Sequence, residues 1–377
     1  MGHGPAMASL TGIRGVAAFW VLLYHIQSFS RAFGLGEIAD VAILRDGWSG
    51  VDLFFILSGF VLMYAHEDDF KRINGASLLR FAKLRFLRIY PLSTAVLILI
   101  TILVAADPAF VTWYRGIDNP ASFTLWPFFK TLFLATRWFP PTDGDCNQPV
   151  WSLSAEIIGY AAFPWLACRI GRCPRPRTAF LIAVLSLFIL AAIELSLDIG
   201  NLNMFQMFAV TRMAGGFIAG VALCKGWRLL PKRTAVWPAY TSAASVIALL
   251  AVCFLPDTHV LMTPIFGLLI LSLAFQVGLV SRALSSRPAM FLGRISFPLY
   301  LVHVTALLWL RSAVAGSPID PAEGAVLVLG CVACCIGLAT LLHHFVERPC
   351  HRLARAWAGG PSSPIEAEAG SSPVIAN

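Results

Sequence analysis

Arg14 and His25 stand together in one mostly apolar run, Leu10 to Phe29, LTGIRGVAAFWVLLYHIQSF. An α-helix turns about 100° and rises about 1.5 Å per residue, so the separation of this pair returns His25 to within about 20° of Arg14, roughly 16 Å further along. Both side chains then look out from one face. An imidazole is suited to taking a proton from a hydroxyl near neutral pH, and a guanidinium to holding an anion. Ionisable groups in an apolar helix are costly, and they are kept where they face a protein interior or a watery cavity. The competing reading has Arg14 reaching the headgroups along its aliphatic stem and His25 serving as a hydrogen-bonded packing residue.

Other stretches carry groups of complementary chemistry. Asp52 lies in GWSGVDLFFILSGF, with Ser58 and Gly59 about two helical turns further on. Glu156 lies in WSLSAEIIGY beside Trp151, Ser152 and Ser154, and Tyr300 and His303 lie in SFPLYLVHV. Histidine as base or nucleophile, with a carboxylate to orient the ring and stabilise its cation, is the expected division of labour. Asp52 and Glu156 both qualify for the second role, and the sequence leaves open which fills it. A separate group, Arg80, Lys83, Arg85 and Arg88 in LLRFAKLRFLRIYP, forms a credible cradle for phosphates, since Arg binds them bidentately and Lys as a point charge. Simple anchoring of a helix at the cytoplasmic surface explains the same residues equally well.

These residues must be held by membrane-spanning helices. The chain has 377 residues, 58% hydrophobic and 13% charged, whereas a soluble domain carries about 25% charged residues. Spans need about 20 mostly apolar residues, and ten stretches qualify: 9–29, 48–65, 87–106, 150–168, 178–196, 206–224, 236–255, 259–279, 290–310 and 323–343. The expected fold is all-α, a polytopic bundle of about ten transmembrane helices. Between the third and fourth spans, Phe123 to Ala135 is interrupted by Pro127 and Lys130 and reads as lying at the interface.

Charge sets the orientation. The net charge of +8 does not imply nucleic acid here, because 20 of the 28 Lys and Arg fall in alternate connections, those after spans 2, 4, 6, 8 and 10. Both termini are therefore expected in the cytoplasm, with the carboxylates and histidines above near the outer surface. Only Arg14 and Arg212 are basic residues inside spans. Of nine cysteines only Cys146 falls in an outside loop, which excludes a disulfide scaffold, and Cys331, Cys334 and Cys335 read as small packing residues rather than a metal site. The N-terminus has no basic region ahead of its apolar run and reads as an uncleaved first span. Residues 1–358 form one domain on this reading. The segment 359–377, GGPSSPIEAEAGSSPVIAN, is too polar to order itself and is expected to be a disordered cytoplasmic tail.

In combination these residues resemble the acyltransferase-3 family of membrane acyltransferases, over most of the chain from Leu10 to about Pro349. The motifs are the Arg14 to His25 pair, GVDLFFILSGF (50–60), RFLRIYP (85–91), WSLSAE (151–156), SFPLYLVH (296–303) and the closing HHFVERP (343–349). One departure is Phe297, where the family often has Tyr. The resemblance implies transfer of an acyl group, usually acetyl, from cytoplasmic acyl-CoA to a hydroxyl of a carbohydrate or related acceptor, with acyl-CoA as co-substrate and no permanently bound cofactor or metal. It implies functional roles for Arg14, His25, the Arg85/Arg88 motif and Glu156, and the residues themselves add the expectation that His25, with Asp52 or Glu156, is catalytic and that Arg14, Arg85, Arg88 and Tyr90 form the acyl-CoA site. Trp151, Ser152, Ser154, Tyr300 and His303 would meet the acceptor. The expected setting is a bacterial plasma (inner) membrane, with a homo-oligomer left open. Acceptors range from exopolysaccharide or O-antigen to a small natural product such as a macrolide. Outside this class the rival is a proton-coupled transporter, for which buried Arg, His, Asp and Glu are equally natural.

Overall fold

The computed structural model describes residues 7–117, 122–138, 144–196, 208–231, 236–255 and 258–357, and every regular element among them is helical. Ten helices fall on the ten predicted stretches, the eighth of them short and followed by a break. They are α1 (Ala8–Phe29), α2 (Gly50–His66), α3 (Gly75–Ala106), α4 (Val150–Ile170), α5 (Pro176–Ser196), α6 (Ala209–Leu229), α7 (Trp237–Phe254), α8 (Met262–Leu273), α9 (Arg287–Ala313) and α10 (Pro321–Leu342). A π-helical turn, His343–Glu347, leads from α10 into a last helix, α11 (Arg348–Trp357). The tail 359–377 lies outside the described residues.

The expectation of ten crossings is met less fully than the helix count suggests. Among the described residues seven helices are long and apolar enough to cross a bilayer, or eight if α8 and its bent continuation count as one span. The other two, α4 and α6, have 21 residues each but are less apolar. They are the helices that carry Glu156 and Arg212. α6 packs against α2, α4, α5 and α8, so its polar groups face protein rather than lipid.

Burial divides the spans into inner and outer sets. The apolar windows of α1, α2 and α9 are 61%, 67% and 67% buried, against 17% for α5 and for α10 with its extension. Leu181, Val184, Phe188 and Ile189 on α5, and Val326 and Leu329 on α10, are exposed and suited to lipid. The inner helices cross at glycines. A Cβ on Gly220 of α6 would lie 1.9 Å from the Ile56 carbonyl oxygen of α2, and one on Gly15 of α1 would lie 2.4 Å from the Gly293 nitrogen of α9. Gly216 and Gly220 form a small-xxx-small pair, the pattern that lets membrane helices approach closely.

Two boundaries differ from expectation. α3 begins at Gly75, well ahead of residue 87, because the Asn74 side chain accepts from the Ser77 amide at 2.8 Å and caps a run of good helix formers. At 32 residues it is longer than a hydrocarbon core requires, and its first turns carry Arg80, Lys83, Arg85 and Arg88 at one end of the bundle. The eighth stretch is broken rather than straight: after Leu273 the chain turns by 87° into Gly278–Leu284. Gly278 sits at φ +90°, which favours glycine, and Gln276 ties the break to α1 through its amide to Ser9 Oγ at 2.6 Å. The segment expected at the interface contains the helix Leu125–Leu132, with Leu125, Trp126 and Phe129 exposed.

Candidate active site

Two cavities meet inside the inner helices. The larger, about 180 Å³, opens among the arginine-bearing turns of α3. Arg14 of α1, Arg85 and Arg88 of α3, Ser58 of α2, Ser152, Glu156 and Tyr160 of α4, Phe297 and Tyr300 of α9 and His351 of α11 line it. The smaller, about 80 Å³, is lined by Tyr24, His25, Trp48, Gln148, Trp151, Arg212, Tyr300 and His303. Val51 and Tyr300 border both. The Tyr300 hydroxyl is held by Ser152 Oγ at 2.8 Å, so a hydrogen-bonded pair stands where the cavities adjoin.

The large cavity sets a group of charged and hydrogen-bonding side chains among apolar ones. One Glu156 carboxylate oxygen accepts from Tyr160 at 2.7 Å and from Ser58. Arg88 donates to Glu347 and, at 2.6 Å, to His351 Nε2, while His343 holds the other Glu347 oxygen at 2.7 Å. Arg85 reaches His66 Nε2 at 3.4 Å and lies over the Phe81 ring. Arg14 makes no hydrogen bond or ion pair among the described residues, although Arg88, Glu347, Glu156 and Tyr160 are near enough to set its electrostatic surroundings. Its guanidinium is therefore the one most open to an anion entering this cavity.

The small cavity holds the imidazole of His25. Its Nδ1 lies 2.9 Å from the Val21 carbonyl oxygen and 3.2 Å from His303 Nε2, and the two rings meet edge to face at 4.9 Å. Among the described residues Nε2 of His25 has no protein partner. Across the cavity Arg212 lies between the indoles of Trp48 and Trp151, at 5.2 and 5.5 Å. Its Nε and Nη2 donate to Asp52 at 3.0 and 2.8 Å, a bidentate pair that is almost wholly buried.

A family model described as an acyltransferase domain matches residues 7–340. The chain belongs to the acyltransferase-3 family. Acyltransferase MdmB of Streptomyces mycarofaciens is 28% identical over 384 residues, covering 92% of each chain. The peptidoglycan O-acetyltransferase OatA of Listeria monocytogenes is 24% identical over 78% of this chain. The putative peptidoglycan O-acetyltransferase YrhL of Bacillus subtilis is 25% identical over 92% of it. The chain spans about half the length of these last two, 48% and 55%. No solved structure matches.

This membrane O-acyltransferase gathers most of the residues expected from its sequence, but not in the expected pairs. Arg14, Arg85, Arg88, Glu156 and Ser152 line one cavity, His25, Trp151 and His303 the other, and Tyr300 both. Neither carboxylate is hydrogen-bonded to the His25 ring, contrary to expectation. Asp52 is committed to Arg212 and Glu156 to Tyr160 and Ser58, and the ring in contact with His25 is that of His303. Tyr90, expected in the acyl-CoA site, lines neither cavity and stacks on Phe86, with its hydroxyl 3.4 Å from the Phe133 carbonyl. Ser154, expected to meet the acceptor, is buried away from both and accepts from the Arg137 amide at 2.9 Å. Arg212, Trp48, Gln148, Tyr160 and Glu347 were not singled out by the sequence. Arg212 carried a signal, as one of two basic residues inside a span. Cys146, in the loop beside Gln148, is a free thiol that burial pushes up to about 11, so it stays protonated and unreactive at neutral pH.

Proposed function

We propose that this protein moves an acyl group, acetyl in the simplest case, from acyl-CoA to a hydroxyl of a carbohydrate acceptor such as an exopolysaccharide or O-antigen. The observation that carries this reading is the junction of two unlike cavities at Tyr300. One is rich in guanidinium groups and suits a phosphate-bearing donor, and the other presents an imidazole nitrogen without a protein partner. The arginine-rich end, where α3 emerges, faces the cytoplasm of a bacterial plasma membrane, in keeping with the excess of basic residues in that set of loops.

Acyl-CoA enters the large cavity with its phosphates towards Arg85 and its arm passing Arg14, so that the thioester lies beside Tyr300. The acceptor hydroxyl enters the small cavity against His25 Nε2. As the hydroxyl oxygen attacks the thioester carbonyl, Nε2 takes its proton. The new C–O bond forms, the C–S bond breaks, and the thiol of CoA leaves with that proton. Arg212, fixed by Asp52, keeps a cation in the small cavity where negative charge develops on the carbonyl oxygen.

The test is purified protein in vesicles with radiolabelled acetyl-CoA and a panel of glycan and small-molecule hydroxyl acceptors. Transfer to a glycan, falling about 10² to 10⁴-fold in His25→Ala with the protein still in the membrane, supports the reading. Label found only on a small natural product would reassign the acceptor. Movement of a solute across the vesicle without consumption of thioester would make the protein a carrier instead.

A further inference from the structure

His303 is completely buried, and its two ring nitrogens have different surroundings. Nδ1 lies 2.9 Å from the Tyr300 carbonyl oxygen and 3.2 Å from that of Leu299. Both are acceptors only, so Nδ1 carries a proton, and in the neutral ring Nε2 is then a bare lone pair. That lone pair is 3.2 Å from Nδ1 of His25, which also faces the carbonyl oxygen of Val21 at 2.9 Å. A bare Nδ1 on His25 would meet two acceptors and no donor. The only arrangement without a repelling pair puts the proton on Nδ1 of both rings.

We infer that His303 is a positioning residue that locks His25 in the tautomer whose Nε2 is unprotonated. This rests on the reading of His25 as the base and assigns the part once expected of a carboxylate to a second, neutral imidazole. The backbone of α9 supplies the fixed reference: two carbonyls of one turn set the His303 tautomer, and His303 together with the Val21 carbonyl sets that of His25. Close packing such as that at Gly15 and Gly293 joins α1 and α9, the two helices that carry the rings. A ring held by a neutral acceptor keeps its orientation without a buried negative charge, in a cavity where Arg212 already has its own counterion.

Two variants of the full-length protein test this. His303→Phe preserves a ring without an acceptor, and His303→Gln retains an amide oxygen able to reach His25 Nδ1. The first readout is the rate at which diethyl pyrocarbonate modifies His25, followed by mass spectrometry of its peptide, since that reagent needs a bare ring nitrogen. The second is the split between kcat and KM for acetyl-CoA. His303→Phe is expected to slow modification severalfold and to lower kcat by about ten- to hundred-fold with KM unchanged, the usual scale for loss of a residue that orients another. The fall is smaller than for a fully wrong tautomer, about 10⁴-fold, because Val21 still faces Nδ1. His303→Gln is expected to recover most of both. Unchanged modification and kcat in His303→Phe, or a Gln variant no better than Phe, would overturn the inference. Should His25→Ala itself remain active, the role of His25 as base fails, yet the modification rates still report whether His303 sets its tautomer.

Discussion

Asp52 and Arg212 are separated by 160 positions in the chain and joined by two hydrogen bonds in an almost wholly buried site. Removing one member of such a pair strands the other charge, which costs about 3–5 kcal/mol, whereas replacing both with apolar groups is often neutral. Asp52→Ala should therefore lower the thermal unfolding midpoint in detergent sharply. The double variant Asp52→Leu, Arg212→Met should regain most of that loss in stability without regaining transfer activity. His25, Arg14 and Glu156 were legible from the sequence because a charge or imidazole in an apolar run needs a reason. The contacts of His25 with His303 and of Glu156 with Ser58 were not, because they span 278 and 98 positions and depend on how helices dock. Tyr90 and Ser154 fall outside both cavities for a simpler reason. Each stands two residues after a cavity-lining neighbour, Arg88 and Ser152, and two residues on a helix are about 200° of rotation, which turns the side chain to the opposite face.

Helix crossings place those side chains within bonding distance. At Gly220 a methyl group would collide with backbone of α2, so Gly220→Ala should force α2 and α6 apart and separate Asp52 from Arg212, lowering stability by about 1–3 kcal/mol as overpacking does. Gly330 on α10 has nothing within 4 Å of the added Cβ, so Gly330→Ala should leave the unfolding midpoint unchanged or raise it slightly. Comparing the two midpoints checks the claim that close packing at α2 and α6, rather than glycine content, is what matters. Hydropathy located ten helices, because a helix is how an apolar stretch satisfies its own backbone groups in a membrane. It could not reveal the 87° break after Leu273, which depends on Gly278 and on the Gln276 contact with Ser9. Nor did it reveal the early start of α3, where helix propensity and a cap act beyond the apolar run.

Across the whole molecule the inner helices enclose two neighbouring cavities, one bordered by guanidinium groups and the other by two imidazoles, with Val51 and Tyr300 in the wall of both. Arg88 is neutralised by Glu347 and His343 lies behind it, so the donor should depend more on Arg14 than on Arg88. Arg14→Gln is expected to raise KM for acetyl-CoA by about 10- to 100-fold, the worth of one charge-assisted hydrogen bond, in steady-state assays of the purified protein. Family membership and the overall helical bundle followed from motifs and composition. The division into two cavities required the structure, because Val51 and Tyr300 border both only once α2 and α9 are packed together.

If donor and acceptor meet across Tyr300, Tyr300→Trp, which fills the junction, separates binding from transfer. Acetyl-CoA binding by calorimetry and acetyl transfer should be measured on the same preparation. The account predicts binding near that of the unaltered protein with transfer reduced by at least about 10²-fold. Transfer at the unaltered rate with the junction filled would contradict it, since the acyl group would then reach its acceptor by another route.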